Sequence, residues 1–178
     1  MFGRRRVVVV AGAIAVTAVL SLMHPAFADS DRAASRARKV TFTTASGPPV
    51  PFAQTCDSAG ACLIPISGGP ESTITGDFEG TGVYAGAARL VGTDEAYSSA
   101  VATFTGSVEG CGEGTNTIRY DAHYAADLPH GGGGTWQIVK GLGTGELDTL
   151  TGHGTFTVAT IDPSDFSGTN DFKGTIRC

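Results

Sequence analysis

From Ser72 to Cys178 the chain is written in short apolar–polar alternations cut by glycine, and that pattern excludes long helices. The clearest run is Ile118, Tyr120, Ala122 and Tyr124, alternating with Arg119, Asp121 and His123. A one-residue slip would bury three ionisable groups, so the register is fixed, and Tyr120 and Tyr124 are expected to face inward, toward Trp136. The same parity runs through Ala100, Ala102 and Phe104, through Trp136 and Ile138, through Phe156 and Val158, and through Phe172, Gly174 and Ile176. Ile74, Gly76 and Phe78 read as one face of a single strand. No helical apolar period is sustained anywhere in this region, and 26 Gly with 22 Thr in 178 residues would poison a helical bundle. Adding Val40 to Thr44 and Leu63 to Ser67 gives eight or nine strands, the pattern of an all-β antiparallel barrel or sandwich. A closed barrel of about eight strands is preferred, because closure leaves no open edge. Gly76 and Gly174, each between apolar neighbours, suit bends at barrel corners.

Residues 1–28 read as a signal peptide. Arg4, Arg5 and Arg6 precede an uncharged stretch from Val7 to Met23, and Ala26 and Ala28 form an A-x-A cleavage site before Asp29. An uncleaved anchor is the alternative, which His24-Pro25 and the small-residue pair disfavour. The very apolar stretch points to the general secretory rather than the twin-arginine route. Residues 29–39 read as a flexible polar arm, and 40–178 as a single domain long enough to bury a core. Removing the signal takes three Arg and no acid from 12 bases and 17 acids, leaving nine bases and a net charge of −8. Four of those bases lie between Arg32 and Lys39, so beyond the arm five bases face 15 acids. Such a body is a poor partner for nucleic acid or an anionic membrane.

Cys56, Cys62, Cys111 and Cys178 form an even set in an exported domain and read as disulfides. Asp57 to Ala61 is turn-like, so Cys56 is expected to bond Cys62, leaving Cys111 for Cys178. Loop entropy gives about 2.4 kcal/mol for the short link and about 4.4 kcal/mol for the long one. The spacings do not match zinc pairs, and no metal or cofactor is expected. His130-Gly131-Gly132-Gly133 looks like an esterase oxyanion element, but the nucleophile elbow it needs is missing, so it reads as a hairpin loop. Gly141-Leu142-Gly143-Thr144-Gly145 lacks the Lys-Ser/Thr of a phosphate loop and reads as a turn. His130 and His153, beside glycines, are expected in exposed turns, and His123 on an exposed face. The scattered Asp residues mark turns and form no calcium loop.

One stretch carries a resemblance. Gly134-Thr135-Trp136, then Gly141-Leu142-Gly143-Thr144-Gly145-Glu146-Leu147, then Leu150-Thr151-Gly152-His153-Gly154, is similar to the signature of a bacterial family of uncharacterised domains with the allene-oxide-cyclase-like barrel fold. Thr75-Gly76-Asp77-Phe78-Glu79-Gly80 resembles that family's earlier strand. Thr149 stands where a Gly is expected. The resemblance spans roughly Ser72 to Cys178 and implies the barrel. In the wider superfamily, and in the similar barrels of dirigent proteins and polyketide cyclases, the lumen holds a reactive substrate in a productive shape. The resemblance brings no catalytic residue to this chain.

The candidate ligand-binding residues are therefore the aromatics expected in the lumen: Phe104, Tyr120, Tyr124, Trp136 and Phe156, with Phe172 beside them. Buried Tyr and Trp need partners for their polar atoms, so such a lumen could hold a small apolar or amphipathic ligand, or be filled as core. Two function classes follow. One is a secreted, disulfide-stapled, non-catalytic barrel that binds a small molecule or serves structurally. The other is a cyclase or isomerase that shapes a small apolar metabolite, with Tyr hydroxyls as donors. Export and the lack of an inward acid or base favour the first. No catalytic residue is assigned.

Overall fold

The computed structural model describes residues 36–47, 54–67, 71–91, 95–125, 131–162 and 167–178, all in the compact unit Ala33–Cys178. The segment read as a signal peptide, and most of the segment read as a polar arm, lie outside the described residues. The described elements are strands: β1 (Arg38–Ser46), β2 (Thr55–Cys56), β3 (Cys62–Ser67), β4 (Ser72–Gly76), β5 (Phe78–Val91), β6 (Glu95–Val108), β7 (Gly112–Ala125), β8 (Gly132–Ile138), β9 (Thr144–Gly145), β10 (Thr151–Ile161) and β11 (Gly168–Arg177).

Eight of them close into an antiparallel barrel. The circuit runs β5–β4–β1–β11–β10–β8–β7–β6, and β6 pairs back to β5. The second half of β5 pairs with β3, and β2 adds a short hairpin outside that edge. Inward residues share parity along each strand, so Val40, Phe42, Ile74, Phe78, Phe104, Ile118, Trp136, Phe156, Phe172 and Ile176 meet in one core. The alternation of β7 is as the sequence predicts: Ile118 and Ala122 are buried, Arg119, Asp121 and His123 are exposed, and Tyr120 and Tyr124 pack against the core.

One end of the barrel is sealed. Leu147 and Leu150, from the segment between β8 and β10, are buried under it. Asn116, itself buried, donates through Nδ2 to the Leu147 carbonyl at 3.0 Å. Glu146 accepts the Glu113 backbone N–H at 3.0 Å. Cys111, after β6, is bonded to Cys178, after β11, with Cα atoms 5.4 Å apart. Cys56 is bonded to Cys62 across the β2–β3 pair, with Cα atoms 3.9 Å apart.

The structure corrects several local expectations. Ile74 and Phe78 do not share one strand, because Gly76 and Asp77 turn the chain back and Ile74 pairs with Gly80. Gly76 has φ +115°, which a side chain would resist, and a Cβ there would meet the Thr41 carbonyl at 2.8 Å. The strand begins at Arg38 rather than after the arm, because Arg38 pairs with Ile176 and its guanidinium reaches Asp77 at 3.1 Å. The glycines expected in a hairpin loop, Gly132 and Gly133, are part of β8. His130 lies outside the described residues, and His153 sits exposed within β10 rather than in a turn. Gly174 marks clearance rather than a corner. Cβ atoms on Gly154 and Gly174 would collide with the Trp136 indole, at 2.6 Å from Nε1 in the case of Gly154.

Candidate functional site

The lumen divides into two halves. Toward the sealed end it is filled by aromatic rings. Phe42 stacks on Phe172 at 4.6 Å and Phe172 on Phe156 at 4.9 Å, while Phe42 lies 4.5 Å from Phe78. Phe104 meets Phe78 edge-on, and Trp136 meets both Phe42 and Phe78 edge-on. Each such pair contributes about 0.5–1.5 kcal/mol beyond area burial. Phe104 and Trp136 are 0% and 1% exposed, and Phe156 is buried beside them. The Trp136 indole N–H donates to the Lys173 carbonyl at 3.2 Å, so its polar atom is satisfied within the wall. These three sequence candidates act as packing in this structure.

The other half is different. Tyr120 leans on the stack, 6.2 Å from Phe156 and 5.9 Å from Phe172, and burial pushes its phenol pKa well above the usual value. Tyr124 lies one inward step further along β7, where its ring occupies the space a Gly132 side chain would need. Tyr84 on β5 has the same inward parity as buried Gly82. Its pKa is raised by burial first and by neighbouring Tyr124 second. All three are half-buried, and the wall around them is Gly86, Ala88, Ser98 and Ala100, also half-buried. Tyr84 is not marked as inward by the sequence, because its neighbours Ala85, Gly86 and Ala87 carry no alternation that would assign it a face.

A groove of about 520 Å³ lies on the outer wall, crossing β3 and β5 to β8. It contains Arg89, Tyr97, Asp121 and His123, all exposed. The Tyr97 and His123 rings stack 4.7 Å apart, 23° from parallel. The Asp121 carboxylate accepts from Ser99 Oγ at 2.8 Å and from Arg119 at 3.1 Å, and these bonds hold its pKa below the usual carboxylate range. Among the described residues no cluster of three His, Cys, Asp or Glu is placed to hold a metal ion.

The model of a family described as a protein of unknown function, DUF3224, matches residues 41–175. The chain belongs to the DUF3224 family. A solved structure of a DUF3224 protein from Shewanella oneidensis MR-1, also of unknown function, superposes with a TM-score of 0.52 at 15% identity. The match covers 80% of this chain and 96% of that one. At that identity the likeness speaks for the shared fold alone. A comparison with curated proteins finds no match.

In this DUF3224 barrel the glycines of the motif are structural. Gly134 and Gly154 bring β7, β8, β10 and β11 close enough that a Cβ on either would meet neighbouring backbone. Gly143 sits against the Leu147 carbonyl and Asn116 in the sealed end. The motif thus builds the Trp136 slot and the plug, and to the outer groove it gives Gly134 and Thr135 alone. Arg89 and Tyr97 of the outer groove carry no sequence signal of their own, and they become neighbours only through the β5–β6 pairing.

Proposed function

We propose that this protein works outside the cytoplasm as a non-catalytic, disulfide-stapled barrel that binds a small amphipathic molecule in the tyrosine-lined half of its lumen. The single observation behind this reading is the convergence of Tyr84, Tyr120 and Tyr124 above the aromatic stack, within a wall of Gly, Ala and Ser. Phenols with small neighbours offer an apolar body and a few directed hydroxyls, the usual make-up of a ligand site. Tyr120 and Tyr124 remain the ligand-contacting candidates, Tyr84 joins them, and Phe104, Trp136 and Phe156 form the floor. Two disulfides suit an oxidising compartment, in keeping with the signal-like N-terminus. The non-catalytic reading draws on charge placement: among the described residues, Asp, Glu, His, Lys and Arg side chains are exposed apart from Arg38 and Asp77 at the sealed end.

Titration with 8-anilinonaphthalene-1-sulfonate tests this. Saturable fluorescence enhancement is expected, abolished by Ala100→Phe, which fills the inner wall beside Tyr120, at an unchanged melting temperature. Enhancement that is absent from the wild type, or indifferent to Ala100→Phe, would remove the reading.

A further inference from the structure

The outer groove stands apart from the lumen, behind the barrel wall, and its chemistry is of another kind. Two rows of outward side chains cross the strands there. In the first, Arg89 is opposite Tyr97, Tyr97 opposite His123, and His123 opposite Gly133. In the second, Ala87, Ser99, Asp121 and Thr135 follow one another across the same four strands. The first row is tall and the second short, so together they make a stepped trough about 520 Å³ in volume.

The tall row ends in an opening. Tyr97 covers one face of the His123 ring, and on the other side the strand partner is Gly133, which has no side chain to cover the second. Nothing larger can stand there, because a Cβ on Gly133 would meet the Phe156 carbonyl at 2.5 Å. Tyr97 is 45% exposed and the His123 side chain 52%, large values for stacked aromatic groups. The Tyr97 hydroxyl donates to Glu95 at 2.7 Å, which fixes the ring's tilt.

The short row supplies hydrogen bonding. Arg119 grips both oxygens of Asp121 at 3.1 Å, through Nη2 and Nε, so that carboxylate is held rigid with lone pairs left to share. Ser99 and Thr135 add hydroxyls that can donate or accept. Arg89, at one end, has no ion-pair or hydrogen-bond partner among the described residues and brings free donors.

The charges decide the ligand class. An anion would approach an acidic body and meet Asp121 and Glu95, while a cation would meet Arg89 and Arg119. A neutral ring with many hydroxyls meets neither penalty. Its C–H faces suit aromatic rings, and its vicinal hydroxyls suit planar carboxylate and guanidinium groups. We infer that the trough is a saccharide-binding site, in which pyranose rings lie along Ser99, Asp121 and Thr135 with C–H faces against Tyr97 and His123.

Isothermal titration of the intact, disulfide-bonded protein with maltohexaose, cellohexaose, xylohexaose and chitohexaose tests this. At least one is expected to bind saturably. Tyr97→Ala and Asp121→Asn are each expected to weaken that binding by about tenfold or more. Both residues are exposed, so near-ultraviolet circular dichroism should show the fold intact, and Tyr97→Leu, which keeps bulk without the ring, should lose binding as Tyr97→Ala does. Ala100→Phe, which fills the lumen, should leave saccharide binding unchanged, so this site and the lumen reading fail separately. Binding by none of the four hexasaccharides, or binding untouched by both Tyr97→Ala and Asp121→Asn, would overturn the inference.

Discussion

Trp136 shows how one residue organises its neighbours. Its indole needs a slot, and the slot is cut by the absent side chains of Gly154 on neighbouring β10 and Gly174 on β11 beyond it. Gly154→Ala would drive a methyl group against the Lys173 carbonyl and the indole nitrogen. A loss of about 1–3 kcal/mol is expected, the usual cost of overpacking a tight core. Urea unfolding followed by emission of the only Trp would measure it directly. The inward face of Trp136 was legible from its parity with Ile138, but the purpose of Gly154 and Gly174 was not. A glycine in a strand looks the same in sequence whether it bends the chain or clears room for a ring on another strand.

At the scale of elements, Asp77 ties the β4–β5 turn to β1. Its carboxylate accepts the Thr41 N–H at 2.6 Å and lies 3.1 Å from the Arg38 guanidinium, with Glu109 also within reach of Arg38. The Thr41 backbone bond is the largest cause of its lowered pKa, and the Arg38 guanidinium adds to it. A carboxylate with a depressed folded pKa contributes stability above its unfolded value of about 4 and loses it as pH falls through the folded value. Asp77→Asn should therefore cost about 1 kcal/mol near neutral pH, a modest figure because the pair is partly exposed and screened. The deficit should shrink as the pH falls below the unfolded value, and thermal melts from neutral into the acid range would show whether it does. The Cys111–Cys178 bond holds the end of β11 to the β6–β7 turn. Cys111→Ser with Cys178→Ser should lower stability by about 2–4 kcal/mol by denaturant unfolding. The closed barrel of about eight strands, the parity of β7 and the Cys56–Cys62 pair follow from local pattern, and Cys111–Cys178 follows by elimination. The turn at Gly76-Asp77 does not, because apolar residues four apart fit a straight strand as well as a hairpin, and only the long-range bond to Thr41 distinguishes them.

For the whole molecule, the described residues of the barrel form three environments: a plugged end, an aromatic floor and a tyrosine-lined half above it. Lumen candidates could be chosen from sequence because inward parity is local. Dividing them into floor and lining could not, since that depends on which strands stack at which height. The outer groove was invisible for the same reason, being assembled from β5, β6, β7 and β8 by cross-strand register alone. The chain's four tyrosines make this division measurable, because Tyr84, Tyr120 and Tyr124 face inward and Tyr97 stands on the outer wall. The most direct test of the central claim is the ring ¹³C NMR spectrum of tyrosine-labelled protein titrated with 8-anilinonaphthalene-1-sulfonate. The Tyr84, Tyr120 and Tyr124 signals are expected to shift together and saturably while Tyr97 stays in place. A spectrum in which only Tyr97 moves, or in which the three inward tyrosines do not respond, would contradict it.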